Sequence, residues 1–193
     1  MFNQNLLSHN RYRQHNIALN NSEFIKFIID DQLDRLLQIN RQFKNILLIS
    51  PLLRDYLIDN LRSSYGSINI TAIEIDDITT IHQAGFDLII MPFFIHWVDD
   101  VQRLLSIITS VLDEDGIFVT NFPGERSLHS LRMKLFELES EYTKTHTPHI
   151  IPFIALQQVP VLLSHAGFNE VITDMEEIEL ERGNILSFMK MLK

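Results

Sequence analysis

The sequence predicts an α/β domain, a mostly parallel sheet of about five strands with helices on both faces. Three observations predict it. Short unbroken apolar runs, NILLIS at 45–50 and FDLIIM at 86–91, have the character of strands buried on both faces of a parallel sheet. Stretches of helical hydrophobic spacing separate them, and glycines stand where one element hands over to the next. Strands that alternate with helices along a chain are joined most simply by right-handed crossovers into a parallel sheet. With 193 residues, 46 % of them hydrophobic, the chain suits one domain with a full core. That domain is expected over residues 1–193, with an N-terminal helical segment 1–43 and an α/β core 44–193.

Taken in order, Ser22 to Phe43 spaces Phe24, Phe27, Ile28, Leu33, Leu36, Leu37 and Ile39 for one long amphipathic helix, with Ser22 as its cap. Asn45 to Ser50 is the first strand, Leu52 to Leu61 a helix, and Gly66 its stop. Ser67 to Ile75, rich in β-branched residues, is the second strand. Phe86 to Met91 is the third. Asp99 or Asp100 then caps a helix whose Val101, Leu104, Leu105, Ile108 and Leu112 share a face. A turn at Asp113 to Gly116 leads into the fourth strand, Gly116 to Asn121. Helices follow at Ser127 to Tyr142 and Ala155 to Ala166, then a last strand at Val171 to Leu180 and a short helix from Ile185.

Composition narrows the function. The formal charge of -9, with scattered Lys and Arg, argues against a general nucleic-acid binder, which needs clustered cations. No apolar run approaches the roughly 18 residues that cross a bilayer. The chain has no cysteine, which removes disulfides, thiolate metal sites and cysteine nucleophiles and suits a reducing compartment, so a cytoplasmic location is expected. Arg11 and Arg13 precede any acid, as in transit peptides, yet the segment lacks their serine-rich length. His146 and His149 flank Pro148 without a third ligand at metal spacing, so no metal is expected.

The ordered series FDLII, IHWV, VLDEDGIFV, PGERSLHSLR, PHIIPF and LLSHAGF resembles the class I S-adenosylmethionine-dependent methyltransferases. It is most similar to the branch of the respiratory complex I assembly factor 5 family and the malonyl-carrier-protein methyltransferase of biotin synthesis, whose pattern reads FDLV, LHWV, LKPDG, GGxTLxELR, PHxSPF and LLxRAGF. The resemblance covers nearly the whole chain and, starting at residue 2, favours a bacterial over a mitochondrial protein. It implies a Rossmann-like fold, S-adenosylmethionine as cofactor, and a respiratory-complex subunit or other protein as client. It also implies that His96, Trp97, His149 and Phe153 face the substrate, with Pro148 and Pro152 shaping a lid.

Departures from the pattern bear on the cofactor. The family places a D-x-G-x-G-x-G-like turn after the first strand, because the ligand lies against backbone that only glycine leaves open. Here no glycine occurs from 44 to 65; Ser50, Leu52 and Arg54 stand at the glycine positions and Leu48 replaces the acid. Ser50 to Gly85 has length for one strand where the family has two. An early βα unit is therefore missing. If the missing strand is the one that ends in the ribose-binding acid, Asp76 aligns with the adenine contact; if INITAIEID is that strand, Asp76 or Asp77 serves the ribose and the adenine contact is lost. The tail after Leu180 has no length for the family's final antiparallel strand, which leaves a closed-up sheet or an edge open to a homodimer partner. The sequence names no catalytic residue. It predicts a methyltransferase-like protein with a degenerate cofactor site that acts as a binding or assembly factor. The alternative is an active methyltransferase, or an arginine-hydroxylase-like enzyme, with a rearranged cofactor site.

Overall fold

The computed structural model describes residues 22–49, 52–142, 150 and 153–179. Helix α1 (Ser22–Leu37) leads into strand β1 (Asn45–Ile49), helix α2 (Arg54–Tyr65), strand β2 (Asn69–Ile73) and a 3-10 turn at Ile75–Thr80. Strand β3 (Phe86–Pro92), a 3-10 turn at Ile95–Trp97, helix α3 (Val101–Val111) and strand β4 (Leu112–Asn121) follow. Helix α4 (His129–Tyr142), a 3-10 turn at Leu156–Gln158 and helix α5 (Val159–His165) complete the described elements.

The strands form one four-stranded sheet in the order β2-β1-β3-β4, and every pairing is parallel. Period-two geometry sends alternate side chains to opposite faces. Ile46, Leu48, Leu88 and Ile90 therefore meet Ile25, Ile29, Leu33 and Leu36 of α1 with Leu57 and Leu61 of α2. Leu47, Ile49, Ile89 and Met91 meet Leu104, Leu105 and Ile108 of α3, with Ile75 and Ile78 of the first 3-10 turn. Both central strands are thus sealed on two sides, which is why their sequences read as unbroken apolar runs. The Tyr56 hydroxyl donates to Asp30 at 2.6 Å and ties α2 to α1 across the first layer.

The expected α/β architecture with helices on both faces is present, with four strands among the described residues rather than five. Residues 171–179 form no strand. Their side chains instead reach ion pairs, Arg35 with Asp174 and Glu176, and Arg126 with Glu177. The β-branched pattern there is interrupted by acids, which are depleted in strands. The expected turn at Asp113 to Gly116 lies inside β4 as an irregularity of register, because Phe86 pairs with Leu112 and Leu88 already pairs with Ile117. The helix expected at Ala155 to Ala166 is split between a 3-10 turn and α5, since Pro160 has no N–H to offer and fits only a first helical turn. The helix from Ile185 lies outside the described residues.

Candidate functional site

From β1 the chain crosses to β2 on one side, then returns past β1 to β3 on the other. That reversal makes a crevice at the carboxyl ends of β1 and β3, the place where open α/β sheets take their ligands. Three segments border it: the turn into α2, the 3-10 turn after β2, and residues 93–97 after β3.

The turn after β1 is built from leucine. Leu53 is the N-cap of α2 with φ 46° and ψ 51°, a left-handed conformation, and no side chain caps the helix there. A non-glycine residue in this region is strained by contact of its Cβ with backbone, at about 1–2 kcal/mol. What holds it is packing, because Leu52 and Leu53 both lie against the apolar cluster shared by α1, α2 and the sheet. A backbone turn of the glycine kind is traced here by a branched residue. Ser50 lies outside the described residues.

After β2, Asp76 and Asp77 sit exposed on the 3-10 turn Ile75–Thr80. Because β2 is hydrogen-bonded directly beside β1 along its whole length, the strand that precedes these acids is the neighbour of the first strand. A sheet closed up after loss of either strand has this adjacency, so both registers considered from sequence are compatible with it.

After β3 the chain turns sharply. Phe93 has φ 51°, and its N–H donates to both the backbone carbonyl of Asn121 at 3.0 Å and its side-chain Oδ1 at 2.7 Å. Two acceptors from the end of β4 thus hold a strained residue in place. The turn brings a run of rings together. His96 lies 5.3 Å from Phe93, 5.3 Å from Trp97 and 6.0 Å from Phe153 between ring centroids, and Phe24 of α1 stands edge-on to Phe93 at 6.2 Å. Such edge-to-face contacts are favourable in their own right. Nδ1 of His96 is buried without a hydrogen-bond partner. Burial lowers the imidazole pKa to about 4, so the ring is neutral at pH 7.

Of the predicted substrate-side residues, His96 therefore meets both Trp97 and Phe153, the latter more than fifty residues away in sequence; His149, like His146, lies outside the described residues. Of the two candidate caps, Asp100 is the one that accepts the Arg103 N–H, at 3.0 Å. Phe24 and Phe93 were not anticipated, since neither belongs to a motif; Phe93 had only its place at a strand end as a signal. Asp87 was also missed as a functional contact within FDL. Its carboxylate accepts the N–H groups of Lys44 at 2.7 Å and Asn45 at 3.0 Å and fixes the entry of β1 against β3. The Arg132 guanidinium donates to the Glu125 carbonyl at 2.7 Å, which braces the turn before α4. In LLSHAGF, Gly167 takes φ 96° to end α5, and Phe168 stacks on Phe118 of β4 at 5.5 Å. Among the described residues no three His, Asp or Glu side chains are grouped to hold a metal, and no helix is long and apolar enough to cross a membrane.

No family model matches the chain. Relatives do. A Rickettsia prowazekii protein named as a methyltransferase is 49 % identical over 109 residues, 56 % of this chain and 48 % of that protein. The mitochondrial arginine-hydroxylase NDUFAF5 of Mus musculus is 34 % identical over 135 residues, 70 % of this chain and 39 % of that protein. The match spans about half or less of these relatives' length. Among solved structures, the plantazolicin methyltransferase BpumL, in complex with a triazolic desmethylPZN analog and SAH, superposes with a TM-score of 0.52 at 15 % identity, over 80 % of this chain and 68 % of that one. At such identity the likeness is one of fold.

Proposed function

We propose, from the premise that this chain belongs to the class I S-adenosylmethionine-dependent methyltransferase superfamily, beside the NDUFAF5 branch, that it is a binding or assembly factor built on that fold. The cofactor half of its crevice is closed and the substrate half is kept. One observation carries this reading: Leu53, not glycine, holds the left-handed cap of α2, with Leu52 and Leu53 packed on the apolar cluster of α1, α2 and the sheet. The methionine end of S-adenosylmethionine needs open backbone at that helix N-terminus. Branched residues stand where that backbone has to be open, so the turn does not fit the cofactor in the manner of the superfamily. Asp76 and Asp77 serve either the ribose or, at Asp76, the adenine, and in both registers half of the nucleoside clamp is missing.

The ring cluster at His96 is the half that remains. A neutral imidazole among Phe93, Trp97 and Phe153 forms a largely apolar ring cluster, which suits recognition of a client side chain more than proton transfer at neutral pH. The acidic balance of the chain, -9, favours a client with a basic surface. A respiratory-complex subunit, met in a bacterial cytoplasm, is the client this reading takes. A second reading, an active enzyme with a rearranged site, has Asp76 and Asp77 in its favour, and methyl transfer to an already nucleophilic acceptor needs little acid or base help.

Calorimetric titration with S-adenosylmethionine and S-adenosylhomocysteine separates the two. No heat up to millimolar ligand is expected. Binding tighter than about 100 μM, roughly -5.5 kcal/mol, overturns the binding-factor reading in favour of the enzyme.

A further inference from the structure

The sheet ends at β2, whose only ladder partner among the described residues is β1. We infer that the free edge of β2 is a self-complementary interface, on which a second copy of this chain adds its own β2 antiparallel about a two-fold axis at Thr71. The inference concerns an edge away from the crevice and stands apart from the function proposed for it.

The register follows from which groups face outward. The Asn69 N–H donates inward to the Lys44 carbonyl at 2.7 Å. Backbone groups alternate sides along a strand, so Thr71 and Ile73 also face β1, while Ile70 and Ala72 present their N–H and C=O to the open edge. With Thr71 on the axis, Ile70 of one copy stands opposite Ala72 of the other, twice over. These are the hydrogen-bonded pairs of an antiparallel ladder, four bonds in all. Thr71 meets its own symmetry mate as the close, non-hydrogen-bonded pair.

Side-chain chemistry agrees with the same register. Ile70 and Ala72 pack toward the α1–α2 face and Ile73 toward the α3 face, so apolar side chains pair across the axis on the face where apolar neighbours already lie. All four residues from Ile70 to Ile73 are only half-buried, which leaves apolar surface for a partner to cover. Charge selects this edge over the other. β2 carries no ionisable residue, and it lacks the Lys and Pro that commonly guard an edge. β4 exposes Asp113, Glu114 and Asp115, and two copies of that edge would repel. On a chain of net charge -9, an uncharged edge is where a second copy can approach.

The test is sedimentation of the full chain with edge variants. Wild type is expected to sediment as a dimer that dissociates on dilution. Ala72→Pro removes an outward N–H without touching the β1 ladder, and it is expected to be monomeric with an unchanged far-ultraviolet spectrum. Thr71→Lys and Thr71→Glu each place like charges face to face and are expected to be monomeric alone; mixed in equal amounts they are expected to form the dimer again. That mixture decides the matter even if Ala72→Pro fails to fold. A wild type that is monomeric at every soluble concentration overturns the inference. So does a dimer that survives the variants, or a charged pair that stays apart when mixed.

Discussion

Acidification should destabilise this protein through His96 in a way that a single substitution cancels. The folded imidazole has a pKa of about 4, against 6.5 for an ordinary histidine. The fold therefore favours the neutral ring, and the sign follows. Above pH 6.5 the ring is neutral in both states and stability is complete. As pH falls from 6.5 towards 4, the unfolded chain takes up a proton that the folded one refuses, and stability declines by up to about 1.4 kcal/mol per pH unit. Below about pH 4 both states are protonated and the loss levels at roughly 3 kcal/mol. His96→Phe keeps a ring of similar size among Phe93, Trp97 and Phe153 while removing the titrating group. Urea unfolding of both proteins from pH 7.5 to 3.5 gives the difference curve, in which carboxylate titrations common to both cancel. The wild type should lose roughly 3 kcal/mol relative to the variant. A flat difference, or an imidazole that titrates near 6.5 by NMR, refutes the burial argument.

Other substitutions report on the frame around the crevice. Asp87→Ala removes the acceptor for the Lys44 and Asn45 N–H groups and should cost about 2 kcal/mol of stability in chemical denaturation; a change below about 0.5 kcal/mol would mean water replaces the carboxylate. Gly116→Ala would bring its Cβ within 2.6 Å of Leu112 Cγ and 2.9 Å of the Phe86 carbonyl oxygen. Since a backbone oxygen cannot rotate away, a loss of about 1–3 kcal/mol is expected in thermal melts, and a wild-type melting temperature would show that the register irregularity yields freely. Arg35→Ala breaks exposed ion pairs with Asp31, Asp174 and Glu176, each worth no more than about 1 kcal/mol. Its stability should hardly change, while cleavage within 171–179 by limited proteolysis should accelerate; an unaltered cleavage rate would show that these pairs do not hold the segment.

The order of strands and helices was legible because burial on both faces of β1 and β3 leaves a continuous apolar run, a signal that survives without any tertiary knowledge. The two edge strands were harder. The bounds of β2 shrank at both ends, and β4 began four residues early, because pairing with Phe86 draws Leu112 into the ladder before the Asp113–Gly116 irregularity. Residues 171–179 satisfied the β-branched pattern, yet Asp174, Glu176 and Glu177 found Arg35 and Arg126 instead of a neighbouring strand. At the site, His96 and Trp97 were legible as a motif at a strand end. The left-handed backbone of Leu53 and Phe93 was not, because no residue type announces it when packing or a pair of acceptors imposes it. Phe24 could not be paired with Phe93 from sequence, since nothing local encodes a contact between an N-terminal helix and a loop so distant along the chain.

The burial gradient across the sheet implies a sequence of opening events. Ile46 to Ile49 and Leu88 to Met91 have no solvent-exposed side-chain surface at all, while β2 and β4 are only partly covered. Amide hydrogens of the two inner strands should therefore exchange with solvent only when the entire molecule unfolds, and those of the outer strands through smaller, more frequent excursions. Phe93 is anchored to Asn121 at the tip of an outer strand but springs from the tip of an inner one. The ring cluster thus straddles the seam between the slowest and the faster-exchanging parts of the molecule. A client that grips those rings would be felt as slowed exchange along β4, far from any surface it touches.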